Sequence, residues 1–268
     1  MKQFINGLII GLVASVIMIA VARAEVVETV KLGTANTVTL RGEITEQSAQ
    51  TAALELIALD AARLGHRYPI YLVLDTPGGS IDAGENLIEV VKSIPDVRTI
   101  TLFAASMGSS IVEALPGDRL ITESGQLMFH RAKGQVGGQF ETGELESRLD
   151  FYKKYVRRME QRSADRMGLS LKTYKRKVKD ELWLTAEDSL KSNAADRIVA
   201  VTCTRDLINR NQHLTAEVFI FKVNLDYSGC PILRTPSVSS EQGAEAVAAY
   251  QKYSAVEEFK RNLSIGGN

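Results

Sequence analysis

The sequence predicts an α/β fold with a largely parallel sheet, and three observations carry that prediction. Strand-like runs and segments of helical spacing alternate from Thr37 to Val201. The run at residues 68–74 (YPIYLVL) is continuously apolar, as a strand covered on both faces is. Two runs end in small-residue turns, one around Pro77 and one around Ser106. In such sheets functional loops gather at the C-terminal ends of the strands, where both turns lie.

In order, residues 25–36 form a short polar lead, and residues 37–44 (TVTLRGEI) alternate like a strand. Residues 46–64 read as a helix whose broad apolar surface comes from Ala52, Leu54, Leu56, Ile57, Leu59 and Ala61. The strand at 68–74 closes in the turn Asp75-Thr76-Pro77-Gly78-Gly79-Ser80. Residues 81–93 return to helical spacing, and residues 97–103 (VRTITLF) are strand-like. That run leads into Ala104-Ala105-Ser106-Met107-Gly108 and an apolar stretch at 111–115. Residues 120–122 and 126–129 read as two short strands. A glycine-rich segment, 134–140 (GQVGGQF), precedes a long amphipathic helix at 143–167 stopped by Gly168. The helix has an apolar stripe through Leu149, Tyr152, Val156 and Met159, and its basic remainder reads as a solvated face. Ser170 caps another helix, residues 187–193 form a short one, and residues 197–201 (RIVAV) a closing strand.

From Thr202 the texture changes. Residues 218–225 (VFIFKVNL) read as one strand, Cys230-Pro231 opens a turn-rich stretch, residues 243–261 read as a polar helix and 264–268 as a frayed end. This divides the chain into 1–24, 25–201 and a C-terminal extension at 202–268.

Composition narrows the function. The 268 residues are 45% hydrophobic and 24% charged, which argues against disorder. Lys+Arg and Asp+Glu both number 32, so there is no cationic excess to bind nucleic acid. At the N-terminus Lys2 precedes an uncharged apolar run at 4–22, followed by Ala22-Arg23-Ala24. That is the pattern of a signal peptide cleaved after Ala24; the alternative is an uncleaved membrane anchor. Either implies a periplasmic or otherwise extracytoplasmic protein. Removing Lys2 and Arg23 would leave 30 bases against 32 acids. Cys203 and Cys230 would pair in an oxidising compartment, the alternative being two separate thiols. His213 stands alone and no C-x-x-C occurs, so no metal site is expected, nor any cofactor.

The chemistry centres on Ser106. A serine hydroxyl needs a base to take its proton, a third group to orient that base, and N–H donors for the oxyanion. Ser106 lies between a strand and a helix, flanked by small Ala105 and Gly108, though a serine that merely caps a helix looks the same. Of the three histidines, His66 ends a helix, His213 lies in the extension, and His130 directly follows a strand, the best position for a base.

Taken together, Pro77-Gly78-Gly79-Ser80, Ala104-Ala105-Ser106-Met107-Gly108 and Met128-Phe129-His130 resemble the three signature segments of the Clp protease proteolytic subunit family. The resemblance covers about residues 37–201, in the family's order and nearly its spacing. It implies a crotonase-like fold with a handle made of the glycine-rich segment and the long helix, through which members form homo-oligomers. It implies a serine endopeptidase acting on peptides or unfolded polypeptide, with Ser106 as nucleophile, His130 as general base, and Gly79 and Met107 as oxyanion-hole donors. Gly78 and Ser80, in the glycine turn, are implied as substrate-binding residues. The family's acid aligns with Glu181, and Asp180 is the alternative one residue earlier. Cytoplasmic members work with an ATP-driven unfoldase, a partner an exported chain would lack. The extension has no counterpart in the family.

Two other readings stand beside this one. A Ser–Lys dyad, as in signal-peptide peptidases, could use Lys133, Lys153 or Lys154. A non-catalytic interaction protein could keep the fold without the reaction, and Glu181 in place of the family's aspartate leaves that open.

Overall fold

The computed structural model describes residues 27–63, 65, 68–133, 141 and 143–254. The signal or anchor segment at 1–24, His66, the glycine-rich segment at 134–140 and the end at 264–268 lie outside the described residues. No helix among the described residues is long and apolar enough to cross a membrane.

The element order begins β1 (Glu28–Leu32), β2 (Thr37–Arg41), α1 (Glu46–Ala62), β3 (Ile70–Thr76), α2 (Ile81–Lys92), β4 (Val97–Ala105) and α3 (Met107–Ala114). It continues β5 (Arg119–Phe129), α4 (Glu144–Arg166), α5 (Leu171–Lys177), β6 (Leu182–Leu184), α6 (Ala186–Lys191) and β7 (Arg197–Cys203). The extension adds α7 (Arg205–Ile208), β8 (Asn211–Val218), β9 (Phe221–Ser228) and β10 (Ser237–Ser239). Residues 244–254 are again helical.

The main sheet runs β1-β7-β5-β4-β3-β2, with short β6 antiparallel on β5 and every other pairing parallel. Parallel sheets need cover on both faces, and β3 is buried at every position. Its side chains alternate between two cores. Leu72 and Leu74 join the large core with Leu56, Leu87, Ile111 and Phe129, while Tyr71 and Val73 join a smaller one with Val30, Leu32, Ile100 and Leu207. Leu207, on α7, brings the extension into the cover of that second face.

Local sequence sets the ends of the helices. Thr45 and Ser48 form a reciprocal capping box on α1, and Ser80 caps α2 by accepting the Ala83 N–H at 3.2 Å. Ser170 caps α5 in the same way.

Three sequence expectations need correction. The polar lead contains β1, an edge strand that buries only Val30 and Leu32 and pairs with β7 far along the chain. The two short strands at 120–122 and 126–129 are one strand, β5, with a register shift against β4. Gly125 lies in that irregular stretch, where a Cβ would come within 2.7 Å of the Thr101 carbonyl oxygen. The single strand read at 218–225 is a hairpin whose turn is Phe219-Ile220, with Phe219 at φ +57°. The turn has no Gly, Asn or Pro to mark it.

Cys203 and Cys230 are joined in a disulfide with Cα atoms 5.8 Å apart, tying the end of β7 to the segment after β9. The small sheet β10-β9-β8 carries its own cluster of Val223, Leu225 and Ala246.

Candidate active site

Because β3, β4 and β5 are adjacent and parallel, their C-terminal ends deliver three loops to one place. β3 delivers the glycine turn, β4 delivers Ser106 and β5 delivers His130. Ser106 stands at the mouth of α3 with φ 54° and ψ −116°, a conformation that costs a non-glycine residue about 1–3 kcal/mol. The surroundings hold it there. Its N–H donates to the Met128 carbonyl at 2.9 Å. The buried Ser109 hydroxyl lies 2.7 Å from the Ser106 carbonyl oxygen and 2.8 Å from that of Met128, so it spans the serine turn and the strand leading to His130.

The Nε2 of His130 lies 2.6 Å from the Oγ of Ser106. That is hydrogen-bond contact, the separation over which an imidazole can take a proton from a hydroxyl. Burial holds the imidazole pKa below its ordinary 6.5, the charge of Lys133 acts the same way, and Glu181 opposes both. A base held neutral in this way can accept the serine proton.

The glycine turn packs against the serine. A Cβ on Gly78 would fall 2.7 Å from both the Ala105 carbonyl oxygen and the Ser106 Cβ, and one on Gly79 would fall 2.3 Å from the Ile44 carbonyl oxygen. Gly78 and Gly79 also have φ of +96° and +148°, so both positions require glycine. Ile44 donates to the Gly78 carbonyl at 2.8 Å and accepts from the Ser80 N–H at 2.8 Å. The N–H groups of Gly79 and Met107 take no hydrogen bond among the described residues, and Met107 opens α3 beside the serine. Gly78 and Ser80, read from the sequence as substrate contacts, have main-chain groups already bonded inside the chain: the Gly78 N–H goes to the Thr76 hydroxyl, and the Ser80 carbonyl accepts from Gly84.

Of the two acids, Glu181 is the one close enough to His130 to affect its charge. Its carboxylate accepts from the Trp183 indole N–H at 3.0 Å, and its backbone has φ +70°. The Nδ1 of His130 is buried and makes no hydrogen bond among the described residues, to Glu181 or to Asp180. Asp180 is exposed. Of the three lysines, Lys133 lines the cavity at Ser106, while Lys154 pairs with Asp150 at 2.7 Å on the far side of α4.

That cavity, about 220 Å³, opens beside Ser106 and His130. Its apolar wall is Ile81, Val156, Met159 and Tyr174. In the sequence Val156 and Met159 show only as part of a helix stripe, and no local signal marks Tyr174, since α4 and α5 reach the site only through the tertiary fold. His213, in the extension, is exposed and bonded to Asp226 across the β8–β9 hairpin, away from Ser106.

A serine held in a strained strand-to-helix turn, with a histidine from the next parallel strand on its hydroxyl, places the chain among α/β proteins with a serine–histidine site. Residues 22–202 match the family model described as Clp protease, and the chain belongs to that family. It is therefore a protease, a hydrolase. It is 29% identical over 163 residues to the ATP-dependent Clp protease proteolytic subunit of Streptococcus pyogenes serotype M5 (strain Manfredo), covering 60% of this chain and 82% of that one. It is equally similar, over 164 residues, to the subunit of the same name from Streptococcus gordonii, with 60% and 83% covered.

Proposed function

We propose that the chain hydrolyses peptides or unfolded polypeptide through a Ser106–His130–Glu181 triad. The observation that carries this is the 2.6 Å contact between His130 Nε2 and Ser106 Oγ. Ser106 attacks the scissile carbonyl as His130 takes its proton. The N–H groups of Gly79 and Met107 receive the oxyanion, His130 returns the proton to the leaving amine, and a water deprotonated by His130 then cleaves the acyl ester and regenerates the Ser106 hydroxyl. Glu181 orients His130 by turning from Trp183 to the Nδ1 left open behind the ring. Asp180 is the alternative acid. The cavity beside Ser106, apolar along Ile81, Val156, Met159 and Tyr174, receives the side chain next to the scissile bond.

A fluorophosphonate probe tests this directly. Labelling of the native protein should be abolished in Ser106→Ala, and an unlabelled but folded wild type would overturn the reading in favour of an interaction protein. His130→Ala separates the triad from a dyad through Lys133, because a dyad would leave peptidase activity near normal. The contact of His130 with Ser106 favours the triad.

The extension at 202–268 is proposed as an added unit on a peptidase domain at 25–201, supported by its separate small sheet. An extracytoplasmic, periplasmic location is proposed from the apolar run at 4–22, and the disulfide fits an oxidising compartment. An ATP-driven unfoldase would then be absent. A homo-oligomer is proposed through α4, which exposes Leu145 and Phe151, the latter stacked on half-buried Tyr155. A monomer in sedimentation at micromolar concentration would count against it.

A further inference from the structure

The C-terminal extension reaches back to the two strands that build the glycine turn. Arg41 and Asp75 are the last register pair of the parallel β2–β3 ladder. Three residues after Asp75 comes Gly78, and three after Arg41 comes Ile44, whose main chain bonds Gly78 and Ser80. The two segments therefore leave one ion pair and rejoin at the turn. A further bond closes the gap between them, the Gly42 N–H donating to the Asp75 carbonyl at 2.9 Å.

The Asp75 side chain is 7% exposed, and a carboxylate so enclosed needs cationic partners. Arg41 supplies one, with Nε at 3.3 Å. Arg234 of the extension supplies the other, its Nε at 3.1 Å from Oδ2 and its Nη2 on Oδ1, a two-pronged contact. The extension also holds Arg41: Nη2 donates to the Pro231 carbonyl at 2.7 Å, and the guanidinium lies 4.8 Å from the centroid of the Tyr227 ring. Pro231 directly follows Cys230, which is cross-linked to the end of β7. The main body thus grips the segment that carries Pro231 and Arg234 by a covalent bond.

We propose that the extension is a working part of the peptidase site. Arg234, kept in register by the Cys203–Cys230 cross-link, is a positioning residue that sets the Gly78–Gly79 turn through Asp75. This rests on the reading of Gly79 as an oxyanion donor. The Gly79 N–H acts only when the oxyanion forms, so a displaced turn lowers kcat and leaves KM nearly unchanged. Reduction releases the same latch. Dithiothreitol gives up two electrons and two protons to become its cyclic disulfide, and Cys203 and Cys230 each become a thiol.

The test is steady-state peptidase kinetics on the full chain, with near-ultraviolet circular dichroism confirming a folded protein at the assay temperature. Arg234→Ala should lower kcat at least about tenfold, against the 10²–10³ typical of losing an oxyanion donor outright, with KM within about threefold. Arg234→Lys should recover part of that loss. Wild type treated with dithiothreitol should lose kcat similarly and regain it on reoxidation with glutathione disulfide, while a Cys203→Ser/Cys230→Ser double variant should be slow from the start and indifferent to the reductant. The wild-type reduction arm decides the matter even where Arg234→Ala fails to fold. An unchanged kcat in reduced wild type or in folded Arg234→Ala, whatever happens to the melting temperature, overturns the proposal. A wild type without fluorophosphonate labelling fails the parent reading instead.

Discussion

His130 is bonded on one side only: its Nε2 lies 2.6 Å from Ser106 Oγ, while its Nδ1 is buried without a partner among the described residues. A buried polar atom left unpaired costs about 1–3 kcal/mol, so the Nδ1 position favours an incoming acceptor. Glu181, engaged with the Trp183 indole, is the acid that influences His130. Glu181→Gln should therefore lower kcat at least about 100-fold, because the amide cannot stabilise the imidazolium. Asp180→Asn should stay within a few-fold of wild type. Peptidase assays on the pair check this, and the reverse ranking would assign the role to Asp180.

The pH profile reports the same site. A general base works in its neutral form, and burial followed by the Lys133 charge lowers the His130 pKa from 6.5. The acid limb of kcat/KM should therefore fall below pH 6.5. Lys133→Gln removes a lowering influence and should move the limb to higher pH. Glu181→Gln removes a raising one and should move the residual limb lower. A limb that ignores Lys133→Gln would mean that the titrating group is not His130.

The glycine turn is a steric prediction. A methyl on Gly79 would lie 2.3 Å from the Ile44 carbonyl oxygen, and the backbone φ is +148°. Gly79→Ala must therefore move either Ile44 or the Gly79 N–H proposed as an oxyanion donor. It should lose roughly 100-fold or more in kcat and about 1–3 kcal/mol in stability, measured by urea denaturation. Gly65, just past the end of α1, offers the control. Its φ is +83° and an added Cβ meets nothing within 4 Å, so Gly65→Ala should cost stability from backbone strain with much less effect on kcat.

What the sequence made legible follows from distance along the chain. Ser106, Gly79 and His130 stand out in the sequence because each lies just past a strand, and Ser106 and Gly79 also lie in small-residue turns. β1 does not, because its pairing with β7 joins residues such as Glu28 and Val199, and its own pattern is that of a half-polar edge. The hairpin turn at Phe219 was hidden because an apolar residue adopts the left-handed conformation there. Arg234 lies 159 residues from Asp75, and nothing near either residue announces the other. The choice between Glu181 and Asp180 depended on a one-residue alignment, and what separates them physically is their proximity to His130, a tertiary fact.

A last prediction concerns a buried acid on α3, about two turns along the helix from the serine. Glu113, on α3, is 2% exposed, and burial pushes its carboxyl pKa up to about 8 although Arg119 donates to Oε2 at 2.7 Å. The other oxygen, Oε1, has no partner among the described residues, which suits a protonated acid. In the unfolded chain the same group titrates near 4.5. Below that pH both states hold the proton and the group brings no penalty. As pH rises from 4.5 to about 8, the unfolded state releases its proton first, so this contribution to stability is lost across that window and the loss is complete above it. Glu113→Gln keeps an acceptor for Arg119 and removes the titration. Urea midpoints taken between pH 5 and pH 8 should therefore fall less steeply for the variant than for wild type. Parallel slopes would show that Glu113 is ionised in the folded protein, with Arg119 outweighing the cost of burial.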